Sequence, residues 1–316
     1  MVSPHLHPPD TASPLMYLTS SGQVRTWRVR DQEISLDQFV LAGILNVTPD
    51  SFSDGGEFFE PNVAIAHAHE MVAEGADLID IGAESTRPGS EEVSAEEEWG
   101  RLEPVFRELG DLTVPISIDT TKFEVAERAI DAGADAINDV TGLQSDPRIA
   151  DLAARTGAGL VIMHMRGTPQ TMQNDTWYED VVKEVCRSLE KARDAAIRVG
   201  CHPDQIAVDP GLGFGKSDKG NLELIARLDE LSDLGAPVWI GPSRKSFLGN
   251  MLNVGPDDRL SGTIAACLAA LEKGAHVLRV HDVREIRDAL KVHVAIADMC
   301  REKSKVDTTE LTEASI

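Results

Sequence analysis

The sequence predicts a single-domain α/β protein, a (β/α)8 or TIM barrel, and three observations support that prediction. Short apolar segments with the composition of buried parallel strands recur from residue 39 onward. Helical patterns separate most of these segments, so that about eight β-α units occupy roughly 260 residues, the usual size of such a barrel. Gly-Ala pairs precede several segments and fit helix C-caps that lead into strands. The alternative is a doubly wound open sheet, but such a sheet rarely contains eight similar β-α units that run on without a division between them.

The predicted strands are short and largely apolar, and segments with helical periodicity lie between most of them. The strands are 39–45, 77–82, 114–119, 134–139, 159–164, 206–209, 237–241 and 276–281. The helices include 63–74, 96–109, 122–132, 178–199 and 261–273. Together these elements assign residues 39–301 to one domain.

The two ends of the chain differ from this domain in composition. Residues 1–38 are a predicted N-terminal extension, in which 1–22 are rich in Pro, Ser, Thr and His and are expected to be poorly ordered. Residues 24–36 alternate in part and could form a short hairpin that closes one end of the domain. Residues 302–316 are predicted to be a flexible polar tail.

The composition of the chain indicates its cellular compartment and excludes some classes of binding partner. A net charge of −23 repels nucleic acid and anionic membranes, and no apolar run reaches the roughly 18 residues that a membrane span needs. The N-terminus lacks the apolar segment of a signal peptide, and the four cysteines show no CxxC spacing. These features predict a cytoplasmic protein. The acidic excess lies in the body of the chain and suggests a salt-rich cytosol, where salt screens self-repulsion.

The loop after the first predicted strand has an unusual density of polar residues. From Asn46 to Gly56 it reads NVTPDSFSDGG, which combines oxygen ligands, hydroxyls and the aromatic ring of Phe52. A simple turn needs only one or two such residues, and binding residues concentrate on strand-end loops. The sequence therefore predicts a functional loop here.

Polar residues also follow most of the other predicted strands, and in a barrel these ends form the mouth of the active site. One group, Asp119, Asn138 and Asp209, suits a flat heterocycle with an N–C–NH2 edge, because a carboxylate accepts two parallel N–H bonds. A second group is cationic and suits phosphate or another anion. Its members are Arg87, Arg244, Lys245, Arg279 and His281. The glycine-rich loop 209–216, with Phe214, is weak evidence alone, since its bland interpretation is a flexible turn.

Eight segments, in order along the chain, resemble the dihydropteroate synthase family. They are GILNVTPDSFSDGG (43–56), DIGAESTRPG (80–89), ISIDT (116–120), AINDVTG (136–142), MHMRGTPQTM (163–172), DPGLGFGK (209–216), GPSRKSFLG (241–249) and LRVHDV (278–283). The resemblance leaves only the termini uncovered. It implies a barrel enzyme that joins 6-hydroxymethyl-7,8-dihydropterin diphosphate to p-aminobenzoate, giving 7,8-dihydropteroate and diphosphate.

The resemblance also implies a role for each matching residue. Those expected to hold the pterin are Asp119, Asn138, Met163, Asp209 and Lys245. Those expected to bind the diphosphate are Asn46, as a ligand of Mg2+, with Arg87, Arg279 and His281. Those expected to bind p-aminobenzoate are Phe52, Thr86, Pro88, Phe214, Lys245 and Ser246. Asp119, Lys245, Arg279 and His281 are the predicted catalytic residues. The family is generally dimeric, which implies a homodimer.

Two other functions share parts of this pattern. Pterin-binding methyltransferases share the barrel and the Asp/Asn contacts, but they do not need the loop 46–56 or the SRKS and RVHD sequences present here. A non-catalytic pterin-binding paralogue should have lost a metal-binding or anion-binding residue, and none of the expected ones is missing.

Overall fold

A computed structural model describes residues 24–48, 61–86 and 89–313 of the chain, with side chains as far as Met299. Within these ranges the backbone forms ten strands and nine α-helices. Eight of the strands are parallel and belong to one sheet. They are β3 (Val40–Asn46), β4 (Leu78–Gly82), β5 (Ile116–Asp119), β6 (Ala136–Asp139), β7 (Gly159–Met163), β8 (Ile206–Asp209), β9 (Trp239–Ile240) and β10 (Val277–Val280).

The sheet closes on itself, which confirms the predicted (β/α)8 barrel. Its strand order is β8-β7-β6-β5-β4-β3-β10-β9. A parallel bridge between Val208 and Val238 then joins the two outer strands. Each predicted strand segment overlaps one observed strand, and because the sheet is closed, the doubly wound alternative is wrong.

Helices follow the barrel strands and cover the outside of the sheet. They are α1 (Pro61–Glu74), α2 (Ala95–Glu108), α3 (Phe123–Asp131), α4 (Arg148–Thr156), α5 (Val181–Arg198), α6 (Asp218–Ala226), α7 (Ser246–Leu252), α8 (Leu260–Glu272) and α9 (Val283–Glu313). The five helices predicted from periodicity are confirmed to within three residues at each end. Ser94 caps the start of α2, where its hydroxyl accepts a hydrogen bond from the Glu97 N–H.

Alternation along each strand divides the core in two. Outward-facing residues such as Leu41, Ile79 and Ile118 pack against the helices in one large aliphatic cluster. Inward-facing residues such as Ala42 and Leu78 form a second cluster that fills one half of the barrel interior. At the next inward-facing position toward the carboxyl ends of the strands, the side chains are polar.

A hairpin closes the apolar end of the barrel, as the sequence predicted. Strands β1 (Thr26–Val29) and β2 (Gln32–Ser35) pair antiparallel. The fully buried Trp27 packs edge-on against Trp239, with ring centroids 5.3 Å apart, and its indole N–H donates to the Gln205 carbonyl at 2.9 Å. A Cβ on Gly159 would lie 2.7 Å from the Trp27 ring, so only glycine fits beneath this plug.

The last helix extends beyond the domain boundary expected from the sequence. Residues 302–313, predicted as part of a flexible tail, are helical within α9. No proline or glycine occurs between Val283 and Glu313, so no residue there interrupts the helix. Among the described residues, no helix is long and apolar enough to cross a membrane.

Candidate active site

The polar half of the barrel interior lies at the carboxyl ends of the strands. Asp119 ends β5 and is in register with Asn138 on β6. Met163 ends β7 and is in register with Asp209 on β8. Because the strands are parallel and in register, these side chains, far apart in sequence, meet at one end of the barrel.

Arg279 is the centre of this polar layer. Its guanidinium donates through Nε to Asp80 Oδ2 at 2.5 Å and through Nη2 to Asp119 Oδ2 at 2.7 Å. Asn138 donates to the same oxygen of Asp80 at 3.1 Å. Burial disfavours the charged guanidinium, but Asp80 and Asp119 outweigh it and raise the pKa of Arg279. The cation therefore stays charged and is held in one orientation.

Two carboxylates of this layer, Asp119 and Asp209, have pKa values that are shifted toward the neutral form. Burial raises the pKa of Asp119 to about 7, against the opposing effect of Arg279. Burial raises the pKa of Asp209 to about 6, although Asp209 Oδ1 accepts a hydrogen bond from the Gly211 N–H at 2.7 Å. Burial lowers the pKa of Lys245 to about 8, and nearby Arg279 lowers it further. Perturbed groups gathered in this way at a barrel mouth are typical of an active site.

An apolar wall borders the charged groups. Met163 and Phe214 belong to a small buried cluster with Val140, Met165 and Met172. Lys245 Nζ lies 4.3 Å from the centre of the Phe214 ring, a cation–π contact. A flat aromatic ligand at this wall would meet one aromatic face and one ammonium group.

His281 is held as a neutral imidazole. Its backbone N–H donates to Ser243 Oγ at 3.2 Å, and the same hydroxyl oxygen lies 2.9 Å from His281 Nδ1. Burial, Arg279 and Arg244 lower the pKa of His281 to about 3. At neutral pH the ring is therefore uncharged, whereas the sequence grouped it with the cations.

Arg244, from the same grouping, is paired with a carboxylate. Its guanidinium forms a two-point ion pair with Asp282, with Nε to Oδ2 at 3.0 Å and Nη2 to Oδ1 at 2.5 Å. Its backbone is in the left-handed region, with φ 54°, and its N–H donates to Thr263. Asp282 therefore balances the charge of Arg244, and the grouping of Arg244 with the anion-binding cations stays a prediction.

With this geometry established, known proteins show a clear relationship. The sequence profile of a family described as pterin binding enzyme matches residues 42–281. The chain belongs to this family. The profile begins within β3 and extends past the end of β10, so it includes the whole polar layer.

Individual members of the family are similar over most of their length. A dihydropteroate synthase from Synechocystis is 48% identical over 258 residues, which are 81% of this chain and 89% of that protein. The structure of a Xanthomonas albilineans dihydropteroate synthase with 4-aminobenzoic acid has 43% identity and a TM-score of 0.80, covering 86% of this chain and 98% of that one. A Thermus thermophilus dihydropteroate synthase in complex with 6HMPPP has 46% identity and a TM-score of 0.75, covering 86% and 99%.

The remaining predicted site residues fall into two groups. Thr86 is half-buried after β4, and Ser246 is exposed at the start of α7, next to Lys245. Phe52, Arg87 and Pro88 lie outside the described residues. The roles given to all of these residues stay predictions.

Asn46 is the predicted magnesium ligand, and its surroundings fit an ion that is shared with a bound substrate. It ends β3 at the barrel mouth and is half-buried. Among the described residues, no cluster of three or more His, Cys, Asp or Glu side chains could hold a metal. Mg2+ commonly binds through one or two protein oxygens together with substrate phosphates. The Asn46 side-chain oxygen suits such a shared site.

Two buried groups have no assigned role in the sequence prediction. Asp80 is fully buried and orients Arg279, while its Oδ1 has no hydrogen-bond partner among the described residues. Lys216 is 3% exposed, and its Nζ contacts His164 Nδ1 at 2.8 Å and the carbonyls of His164 and Phe214 at 2.9 Å. Asp80 is the middle residue of β4, and the sequence marked it as a polar residue of the barrel mouth without assigning it a role. For Lys216 the local sequence gives no sign of burial.

Proposed function

We propose that this protein is a dihydropteroate synthase, which joins 6-hydroxymethyl-7,8-dihydropterin diphosphate to p-aminobenzoate and releases diphosphate. The observation that carries the proposal is the buried polar layer around Arg279, where two carboxylates with raised pKa values lie beside cationic groups. Such a layer is costly to bury without a ligand. Membership of the pterin-binding family and the similarity to dihydropteroate synthases support the same conclusion.

The pterin ring is assigned to Asp119, Asn138, Asp209 and Lys245, with Met163 in the wall of the pocket. The ring carries an N–C–NH2 edge, and a carboxylate can accept two parallel N–H bonds from it. Asp209 is 6% exposed, so these hydrogen bonds would form away from competing water.

The diphosphate is assigned to Arg279 and Arg87 as cations and to His281 as a neutral donor. The order of Arg279 supports this assignment, since Asp80 and Asp119 fix its direction before any ligand arrives. Asn46 would hold Mg2+ against the diphosphate oxygens. When bound, this ion neutralises charge that develops on the leaving group.

The reaction breaks the bond between the pterin methylene carbon and the diphosphate oxygen, and the bonding electrons leave with the diphosphate. The methylene carbon becomes part of a resonance-stabilised pterin cation. Negative charge at Asp119 and Asp209 stabilises that cation more than the ground state, which accelerates the step. The amine of p-aminobenzoate then donates its electron pair to form the C–N bond and loses a proton.

The p-aminobenzoate is assigned to the wall formed by Phe214 and Lys245. The ring of Phe214 offers a stacking surface, and the Lys245 ammonium above it suits an anionic aromatic ligand. Thr86, Ser246, Phe52 and Pro88 are assigned to the same substrate, and the first two would contribute hydroxyl donors.

Diphosphate release tests the proposal directly. Purified protein is incubated with dihydropterin diphosphate, with and without p-aminobenzoate and Mg2+, and diphosphate is measured over time. Release that requires both additions is expected. Tight pterin binding without release under any condition would favour a non-catalytic pterin-binding protein.

We also infer a homodimer. Val292, Ile296 and Met299 are each at least 58% exposed and recur at helical spacing on α9, so they form an apolar stripe that a second copy could cover. Sedimentation should give twice the 34.2 kDa chain mass. A monomer at micromolar concentration would contradict the inference.

We also propose a cytoplasmic location with high salt, and the acidic composition of the chain supports the high salt. The net charge of −23 destabilises the compact state by self-repulsion, which salt screens. The melting temperature should therefore rise between dilute and molar KCl. A melting temperature independent of KCl would rule the salt adaptation out.

A further inference from the structure

A buried ion-pair cluster lies beside the polar layer but does not belong to it. Lys122 Nζ contacts Glu84 Oε2 and Glu98 Oε2, each at 2.8 Å, and the Thr120 hydroxyl donates to Glu98 Oε1 at 2.6 Å. We call these four residues the Lys122 cluster. They come from three places: the segment after β4, helix α2 and the segment after β5.

The burial of this cluster is unusual for its charge. The Glu98 side chain is fully buried, and the side chains of Lys122 and Glu84 are only 13% and 14% exposed. Buried ion pairs are weak sources of stability, and apolar residues often replace them without loss. A cluster with two carboxylates and one ammonium is therefore better explained by what it holds in place.

The cluster closes the base of the segment that follows β4. While Glu84 Oε2 binds Lys122, Glu84 Oε1 accepts a hydrogen bond from the Val93 N–H at 2.9 Å. Both ends of the stretch 84–93, which contains Thr86, are thus joined through one side chain. Thr120 directly follows Asp119, so the same cluster connects this stretch to the polar layer.

A second set of contacts holds Gly89 and Ser90. The Gly89 N–H donates to the Pro169 carbonyl at 3.2 Å, and the Gln170 amide donates to the Ser90 carbonyl at 3.1 Å. From the same neighbouring segment, Gln173 donates to the Gly213 carbonyl at 3.0 Å, one residue before Phe214. The segment with Thr86 and the loop with Phe214 are thereby connected.

We infer that Lys122, Glu84 and Glu98 are positioning residues that hold Thr86 in place for binding of the second substrate, p-aminobenzoate. The inference rests on the proposed function. The polar layer makes its contacts through Asp119, Asn138, Asp209 and Arg279, none of which bonds to Lys122. Loss of the Lys122 ammonium should therefore weaken p-aminobenzoate binding more than pterin binding, which the cluster reaches only through the Thr120 backbone bond to Asn138 and the charge of Glu98 near Asp119.

The test compares Lys122→Met with Arg128→Met in the full-length protein. Arg128 on α3 forms an exposed ion pair with Glu96 on α2. Like Lys122 it is a cation that pairs with a glutamate of α2, but its ion pair is not buried. In Lys122→Met the KM for p-aminobenzoate should rise at least about tenfold, because the binding segment loses its preorganisation. The Kd for dihydropterin diphosphate alone should rise by a clearly smaller factor than this KM, and Arg128→Met should change neither constant.

Two further variants separate positioning from loss of fold. Glu84→Gln keeps an oxygen that can accept from the Val93 N–H but removes the charge, and it should show the same split between the two substrates with a smaller change. Lys122→Arg keeps the positive charge, and its KM for p-aminobenzoate should be much closer to the wild-type value than that of Lys122→Met. A parallel rise in both substrate constants, or no change in Lys122→Met, would overturn the inference.

Hydrogen exchange gives a readout that does not depend on turnover. The Val93 amide should exchange faster in Lys122→Met than in the wild type and in Arg128→Met, because Glu84 is released. If the wild-type protein shows no turnover but the difference in Val93 exchange is present, only the proposed function is overturned. An unchanged Val93 exchange rate would overturn the positioning role even in an active enzyme.

Discussion

The two halves of the barrel interior are built from the same strands and differ in almost every physical respect. At one end Trp27, Trp239 and Val161 form a dry apolar plug. Two residues further along the strands, Asp80, Asn138 and Arg279 form a charged layer. Since inward positions recur every second residue, one step along a strand separates a core from a reaction site. The comparison indicates that stability and function are assigned to opposite ends of one barrel.

The largest effect is expected at the charged end. Lys245→Ala removes an ammonium group that faces Phe214 and the carboxylates of the polar layer. The turnover rate should fall by about 10² to 10³-fold or more, because a preorganised charge is lost from the site. The melting temperature should change little. Lys219→Ala, which removes an exposed lysine, is the control, and steady-state kinetics are the measurement. Near-normal turnover in Lys245→Ala would show that the site is misplaced.

The apolar end should behave in the opposite way. Trp27→Ala removes a fully buried ring and its hydrogen bond to Gln205, at an expected cost of about 3–5 kcal/mol in the free energy of unfolding. At a temperature where the variant stays folded, both KM values should match the wild type. Trp177→Ala, at a site that is 74% exposed, is the control for loss of a tryptophan. Denaturant unfolding measures the loss of stability. A large change in either KM would show that the apolar end of the barrel also contributes to substrate binding.

Sequence reasoning described the apolar end better than the charged end. Alternation and segment length predicted all eight barrel strands and the hairpin that carries Trp27, because these features depend on neighbouring residues. The pairing of Arg279 with Asp80 joins residues 199 positions apart, and no local pattern encodes it. The motifs placed Asp119 and Asp209 at the mouth, but they could not show that Arg244 is neutralised by Asp282. Charge partners are set by tertiary packing.

The charged end should reduce stability near neutral pH. Burial raises the pKa of Asp209 from an ordinary value of 3.8 to about 6, so the folded protein holds this proton more tightly than the unfolded chain. The resulting stabilisation is complete below pH 3.8 and is lost as the pH rises through 6, a change of roughly 3 kcal/mol.

Asp209→Asn keeps an acceptor for the Gly211 N–H but cannot ionise. It should therefore be more stable than the wild type at pH 7, with a gain that fades toward pH 4. Urea unfolding at several pH values measures the difference. A gain that is constant across this range would mean that Asp209 does not titrate with a raised pKa.

The smallest expected effect sharpens the comparison within the charged end itself. Asp209→Ala removes a carboxylate assigned to the pterin ring, and the lost charged hydrogen bonds should weaken pterin binding by about 2–3 kcal/mol. Binding of p-aminobenzoate should weaken less, because Phe214 and Lys245 remain in place. Asp204→Ala, which alters an exposed acid before the same strand, should change neither. Calorimetry with each ligand measures both constants. Equal losses would mean that the two substrate positions share Asp209, and the separation between the pterin layer and the aromatic wall would then have to be abandoned.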